Sequence, residues 1–190
     1  MSWLARAAEC SLRVSVNVSG LELVRTGYTT RVLAVLKETG WPAGQLVLEV
    51  TESVLDADTP LAIDALHCLR AEGIRIAIDD FGNGYSSLSR IHLLPADIIK
   101  LDASFTVAIT PDGKEAPPLL QAVAALGTAL GLPVLAEGVE TAHQAAIFAR
   151  IGFELAQGFY FARGLPLVEL KETLAAAAIL PSAGSSGLFP

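Results

Sequence analysis

The sequence predicts an α/β fold of six parallel strands covered by helices, and three observations predict it. Short apolar runs of strand character alternate with helix-period segments along the 190 residues. Gly or Pro marks each changeover. Every strand run also carries a polar residue at or next to its carboxyl end. Right-handed crossovers between neighbouring parallel strands then leave two architectures, an open doubly wound sheet or a barrel.

The first run is Leu12 to Asn17, followed by Leu46 to Val50, Ile74 to Asp79, Ile98 to Leu101, Pro133 to Glu137 and Phe153 to Gln157. They are unbroken in hydrophobicity, as strands buried on both faces are. Between them, Thr59-Pro60 opens a helix with a cap and a first-turn proline, Ile63 and Leu66 give it an apolar face, and Gly73 closes it. Leu119, Val123, Leu126 and Leu130 form one helical stripe that stops at Gly131. Thr141 and Gln144 make a capping box for a helix buried through Ile147, Phe148 and Ile151 and ended by Gly152. Residues 1–180 are expected to form one domain, and 181–190 a flexible tail.

Composition narrows the function. With 20 acidic against 13 basic residues the chain carries a net charge of −7, and the basic residues are scattered, which speaks against binding duplex nucleic acid. No apolar run reaches the roughly 18 to 20 residues of a membrane helix, and the first residues lack a secretion signal, so a cytoplasmic protein is expected. Cys10 and Cys68 stand in no ligand-like spacing and fit free thiols. His67, His92 and His143 fall on helices or their flanks, and none is nominated for chemistry.

The polar strand ends are the informative feature. They are Asn17, Glu49, Asp79 with Asp80, Lys100 with Asp102, Glu137, and Gln157. In parallel α/β folds the carboxyl ends of the strands hold the chemistry. Strand alternation sharpens this, because Ser15 and Asn17, Val47 and Glu49, Ala77 and Asp79, Ile98 and Lys100, and Leu135 and Glu137 share a parity and hence a face. Four carboxylates converging in a low-dielectric mouth cannot all stay ionised unless cations neutralise them. Two divalent ions balance Glu49, Asp79, Asp80 and Glu137, and Asn17 adds a neutral oxygen. An all-oxygen donor set suits Mg²⁺ or Mn²⁺ rather than zinc. Such a pair of ions about 3.5–4 Å apart suits phosphoryl displacement.

Six motifs then carry a resemblance. Asn17-Val18-Ser19, Leu48-Glu49-Val50-Thr51-Glu52, Asp79 through Ser87 (DDFGNGYSS), Lys100-Leu101-Asp102, Ala136 through Thr141 (AEGVET) and Gln157-Gly158-Phe159-Tyr160 resemble the EAL-domain family of bacterial signalling, from about Leu12 to Pro166. The resemblance implies a modified (β/α)₈ barrel, of which this chain holds about six strands, and hydrolysis of cyclic di-GMP to linear pGpG with Mg²⁺ or Mn²⁺. It implies that Asn17, Glu49 and Asp79 hold one metal, that Asp80 and Glu137 engage the second, and that Lys100 hydrogen-bonds the attacking water or a phosphate oxygen. Glu137 is then the candidate base, and Gln157 sits beside the metal-site water or the ligand phosphate. Asp102 and Glu140 join the substrate-side set, and Glu52 holds the loop Phe81 to Ser87. The partners implied are cyclic di-GMP, a second copy in a homodimer, and sensor or diguanylate cyclase domains of a longer parent.

The sequence also departs from that family. No Glu-x-Leu precedes Asn17, and the nearby ligand-contacting Arg is missing with it. A barrel short of two strands leaves two unpaired edges, so residues 1–180 read as an amino-terminally truncated EAL domain, either a fragment or one whose gap another chain or domain closes, and loss of one metal ligand and one substrate contact is expected to leave it weak or inactive. The competing readings are a receptor that binds cyclic di-GMP without hydrolysing it, and an enolase-like barrel. An enolase-like site holds one metal, whereas the Asp79-Asp80 pair with Asn17 favours two.

Overall fold

The computed structural model describes residues 12–51, 54, 60–82, 94–110, 113, 115–170 and 172–173. Six strands form one sheet: β1 (Val14–Asn17), β2 (Leu46–Thr51), β3 (Arg75–Phe81), β4 (Ile98–Leu101), β5 (Val134–Ala136) and β6 (Leu155–Ala156). All five neighbouring pairs are parallel. Their order in space is their order in the chain. A doubly wound sheet reverses its order at a switch point. This one never does, so right-handed crossovers deliver every helix to the same face and the sheet curls into part of a barrel.

The two faces of the sheet carry different residues, as the alternation predicts. Leu48, Val50, Ile76, Ile78, Ile99, Leu101, Val134 and Ala136 are buried toward the helices. On the other face Val47, Ala77 and Ile98 form a smaller cluster with Leu135 and Leu155 packed against it. These five share the parity of Glu49, Asp79, Lys100, Glu137 and Gln157. The concave face is therefore apolar lower down and polar at its carboxyl rim.

The helices follow local signals. Helix α1 (Gly20–Leu23) starts from a capping box of Ser19 and Glu22, and α2 (Tyr28–Thr39) ends on Gly40 with φ 70°. Helix α3 (Pro60–Ala71) buries Ala62, Ala65, Leu66 and Leu69. Gly73, at φ 91°, turns the chain toward β3. The cap expected of Thr59 lies outside the described residues. After β4 comes the short α4 (Ala103–Val107), capped by Asp102.

Helix α5 (Pro118–Leu130) corrects the expected stripe, because its buried positions are Leu120, Val123 and Gly127, whereas Leu119 is 58% exposed. The helix is rotated so that Gly127 meets β5, where an added Cβ would lie 2.4 Å from Val134 Cγ2. Close approach selects the face, and the apolar count alone does not register it. Helix α6 (Ala142–Arg150) has the predicted Thr141–Gln144 capping box and buries Ile147 and Phe148.

A second correction concerns β1. Its four residues are all exposed, with Val14 at 43% and Val16 at 44%. Burial on both faces requires neighbours on both sides, and among the described residues β1 has β2 on one side alone. An apolar groove of about 420 Å³ consequently runs between β1, β2 and α2, lined by Val14, Val16, Val32, Leu36, Trp41 and Leu48 among others.

Candidate functional site

Each carboxyl-end side chain is delivered by a strand held rigid by its neighbours. Glu49 and Lys100 are nearly enclosed, at 9% and 4% exposure, and Asp79 and Glu137 are mostly so. Lys100 Nζ lies 2.7 Å from Glu49 Oε2, 2.7 Å from Asp79 Oδ1 and 2.7 Å from Glu137 Oε1. One ammonium from β4 thus joins carboxylates from β2, β3 and the residue just past β5. Gln157, just past β6, donates Nε2 to Glu137 Oε1 at 2.9 Å.

Asp80 joins this group through a break in strand geometry. Consecutive residues of a regular strand point to opposite faces, so Asp79 and Asp80 should diverge. Asp80 instead takes φ 53°, the positive-φ conformation recorded outside glycine, and the β3–β4 register shifts between Ile78 and Phe81. Aspartate tolerates this region better than most side chains, and such strain is commonly held at functional sites. Carboxylate oxygens of Asp79, Asp80 and Glu137 consequently lie within 4.8 Å of one another.

The electrostatics show an excess of negative charge. Burial disfavours the Lys100 ammonium, but hydrogen bonds from it to Asp79, Glu137 and Glu49 outweigh that and hold its pKa well above the usual lysine range. For Glu137, burial pushes the carboxyl up, contact with Lys100 pulls it down, and the charges of Asp79 and Glu49 push it up again, with a net rise. Asp80 is also raised, by partial burial first and then by the charges of Asp79 and Asp102, against the pull of Lys100. One cation among four carboxylates leaves repulsion uncompensated. The donors are all oxygens, so the residues present fit hard divalent cations such as Mg²⁺ or Mn²⁺.

The remaining candidates divide. Asn17 ends β1 in register with Glu49, but on the exposed edge. Asp102 accepts from Ser104 N at 2.9 Å as the N-cap of α4, which gives it a structural task as well as its charge near Asp80. Glu140 is exposed, and its backbone N–H donates to Gln144 Oε1 at 2.8 Å. Glu52 and residues 83–87 of the loop lie outside the described residues; of that loop, Phe81 is buried and Gly82 takes φ 98° against the Phe105 ring. Sequence reading missed Thr106, whose buried hydroxyl donates to the Glu137 carbonyl oxygen. No periodicity or motif pointed to it.

Comparison with known proteins identifies the family and supports the fold. The model of the EAL domain family matches residues 1–164. The chain is 42% identical over 165 residues to the cyclic di-GMP phosphodiesterase NbdA of Pseudomonas aeruginosa, covering 87% of this chain and 21% of that protein. The crystal structure of the EAL domain of Mycobacterium smegmatis DcpA superposes with a TM-score of 0.83 at 38% identity, over 92% of this chain and 78% of that one. The manganese and cyclic di-GMP complex of Klebsiella pneumoniae BlrP1 superposes with a TM-score of 0.73 at 30% identity, over 85% of this chain and 41% of that one. The chain spans about a fifth of the length of NbdA.

Proposed function

Because the chain belongs to the EAL domain family, we propose that it is the phosphodiesterase module of a longer bacterial signalling protein and hydrolyses cyclic di-GMP to linear pGpG with Mg²⁺ or Mn²⁺. The observation that carries the reading is the Lys100 ammonium held at 2.7 Å by carboxylates from three neighbouring strand ends, with Asp80 turned into the same mouth. A site built to this geometry suits a phosphodiester, whose charge needs both a cationic donor and neutralised carboxylates around it.

In this reading Asn17, Glu49, Asp79, Asp80 and Glu137 hold two divalent ions. When bound, such ions supply Lewis acidity toward a phosphoryl group. The side chains do the rest. Lys100 donates to a phosphate oxygen or to the attacking water, a role for which its firmly retained proton suits it. Glu137, whose Oε1 accepts from Gln157 Nε2 and lies beside Lys100, acts as base. Glu52, Asp102 and Glu140 complete the surrounding set. The substrate is a soluble second messenger, so the module works in the cytoplasm, as a homodimer within a parent carrying sensor or diguanylate cyclase domains. Among the described residues no helix is long and apolar enough to cross a membrane.

One observation favours a second reading, a receptor that binds without turnover: Asn17 stands on the exposed edge strand, unlike the enclosed Glu49 beside it. A pGpG assay in Mn²⁺ separates the two, run on this chain and on a version preceded by a Glu-x-Leu segment. Metal-dependent release is expected from the completed version. Ligand binding by calorimetry with no pGpG from either version leaves the receptor, and neither binding nor product overturns both readings.

A further inference from the structure

Among the described residues, the buried polar or charged side chains are Glu49, Lys100 and Thr106. The first two belong to the carboxylate cluster. Thr106 lies outside it on α4, with none of its surface exposed, and its hydroxyl donates to the main-chain carbonyl of Glu137. A buried hydroxyl needs a partner. The partner here is the backbone of the residue whose carboxylate meets Lys100, Gln157 and the Asp79–Asp80 pair.

That backbone needs holding because β5 ends at Ala136 and Glu137 stands beyond the regular ladder. Its N–H donates to the Leu101 carbonyl at 3.2 Å, and Thr106 grips the carbonyl on the other side. Gly138 then turns away at φ 65°, and a Cβ added there would lie 2.7 Å from Ala103 Cβ, so α4 sits hard against this turn. Gln144 Nε2 donates to the Thr106 carbonyl at 3.4 Å, tying the start of α6 to the same point. The peptide after Glu137 is therefore fixed from α4, and the direction of its side chain with it.

We propose that Thr106 is a positioning residue that aims the Glu137 carboxylate at Asp79 and Asp80 and so sets the affinity of the mouth for a divalent cation. The inference rests on the metal-dependent reading above and extends it to a residue that touches no ion. Partners that orient ligands from behind typically change metal affinity by about 10–100-fold when removed.

The test is Mn²⁺ titration of the chain without nucleotide, followed by calorimetry, with thermal unfolding as the check on folding. Thr106→Val keeps the branched shape and removes the donor, and it is expected to weaken Mn²⁺ binding about tenfold. Thr106→Ser keeps the hydroxyl and is expected to stay within about twofold of the parent. Equal affinity of Thr106→Val and the parent overturns the inference alone, as does an equal loss in Thr106→Ser. Absence of Mn²⁺ binding by the parent overturns this inference, while pGpG release by the version preceded by a Glu-x-Leu segment would still carry the functional reading. Should Thr106→Val fail to fold, Thr106→Ala takes its place under the same thresholds.

Discussion

Glu49 and Asn17 are register neighbours at the ends of adjacent strands, yet the fold treats them differently. Strand β2 lies between β1 and β3, so Glu49 is enclosed and tied to Lys100. Strand β1 lies at the edge, and Asn17 shares the exposure of its whole strand. The residue types at the two positions follow one rule, a polar end to an apolar run. What separates them is the number of strands alongside. A carboxylate gains a defined position and a strong field when walls on both sides exclude water, and an edge amide gains neither.

Several substitutions break or sharpen this contrast. The largest expected effect is at the enclosed carboxylates. Asp79→Ala or Glu49→Ala, in a chain completed by a Glu-x-Leu segment, is expected to lower pGpG release by more than about 100-fold and to weaken Mn²⁺ binding, since direct ligands matter more than the partners behind them. Circular dichroism should show the helices retained. Rates near those of the parent would reduce these carboxylates to caps.

Removing the central cation tests the same enclosure through stability. Lys100→Met leaves Glu49, Asp79 and Glu137 facing one another, and breaking a buried pair from one side costs about 3–5 kcal/mol. The thermal midpoint without metal should fall accordingly, and Mn²⁺ should restore part of it. A midpoint unmoved by the substitution, with or without Mn²⁺, would show the three carboxylates to be adequately solvated on their own. Lys100→Ala is also expected to lower the rate more than it lowers nucleotide affinity.

At the edge the effects should shrink. Asn17→Ala is expected to weaken Mn²⁺ binding by about tenfold or less, because a neutral oxygen on an exposed strand is replaced by water more readily than a carboxylate is. A loss equal to that of Glu49→Ala would erase the distinction between the two strands. The smallest expected effect is Val16→Thr, within about 0.5 kcal/mol by chemical denaturation because the side chain is largely solvated already. Its counterpart across the ladder, Leu48→Ala, should cost about 2–5 kcal/mol. A large penalty at Val16 would show that something covers the β1 edge in solution.

Much of this was legible beforehand. All six strands overlap the predicted runs, with β2 and β3 extending past them to Thr51 and Phe81, the shared parity puts Glu49, Asp79 and Lys100 on one face, and Thr141 with Gln144 caps α6 as the spacing required. These are local properties, since alternation and capping are set within a few residues of chain. Leu119 was misjudged because the buried face of α5 is chosen by where Gly127 touches β5, a contact between residues that no short window compares.

Sequence by itself determined which residues end the strands and on which parity they sit, because two-residue alternation is a property of every extended backbone. Tertiary structure alone decided that Asp80 turns back to join Asp79, that Lys100 reaches three carboxylates at once, and that Thr106 holds Glu137. Those outcomes depend on how neighbouring strands and helices meet, and burial, charge pairing and a tolerated positive φ arise from that meeting rather than from any one segment.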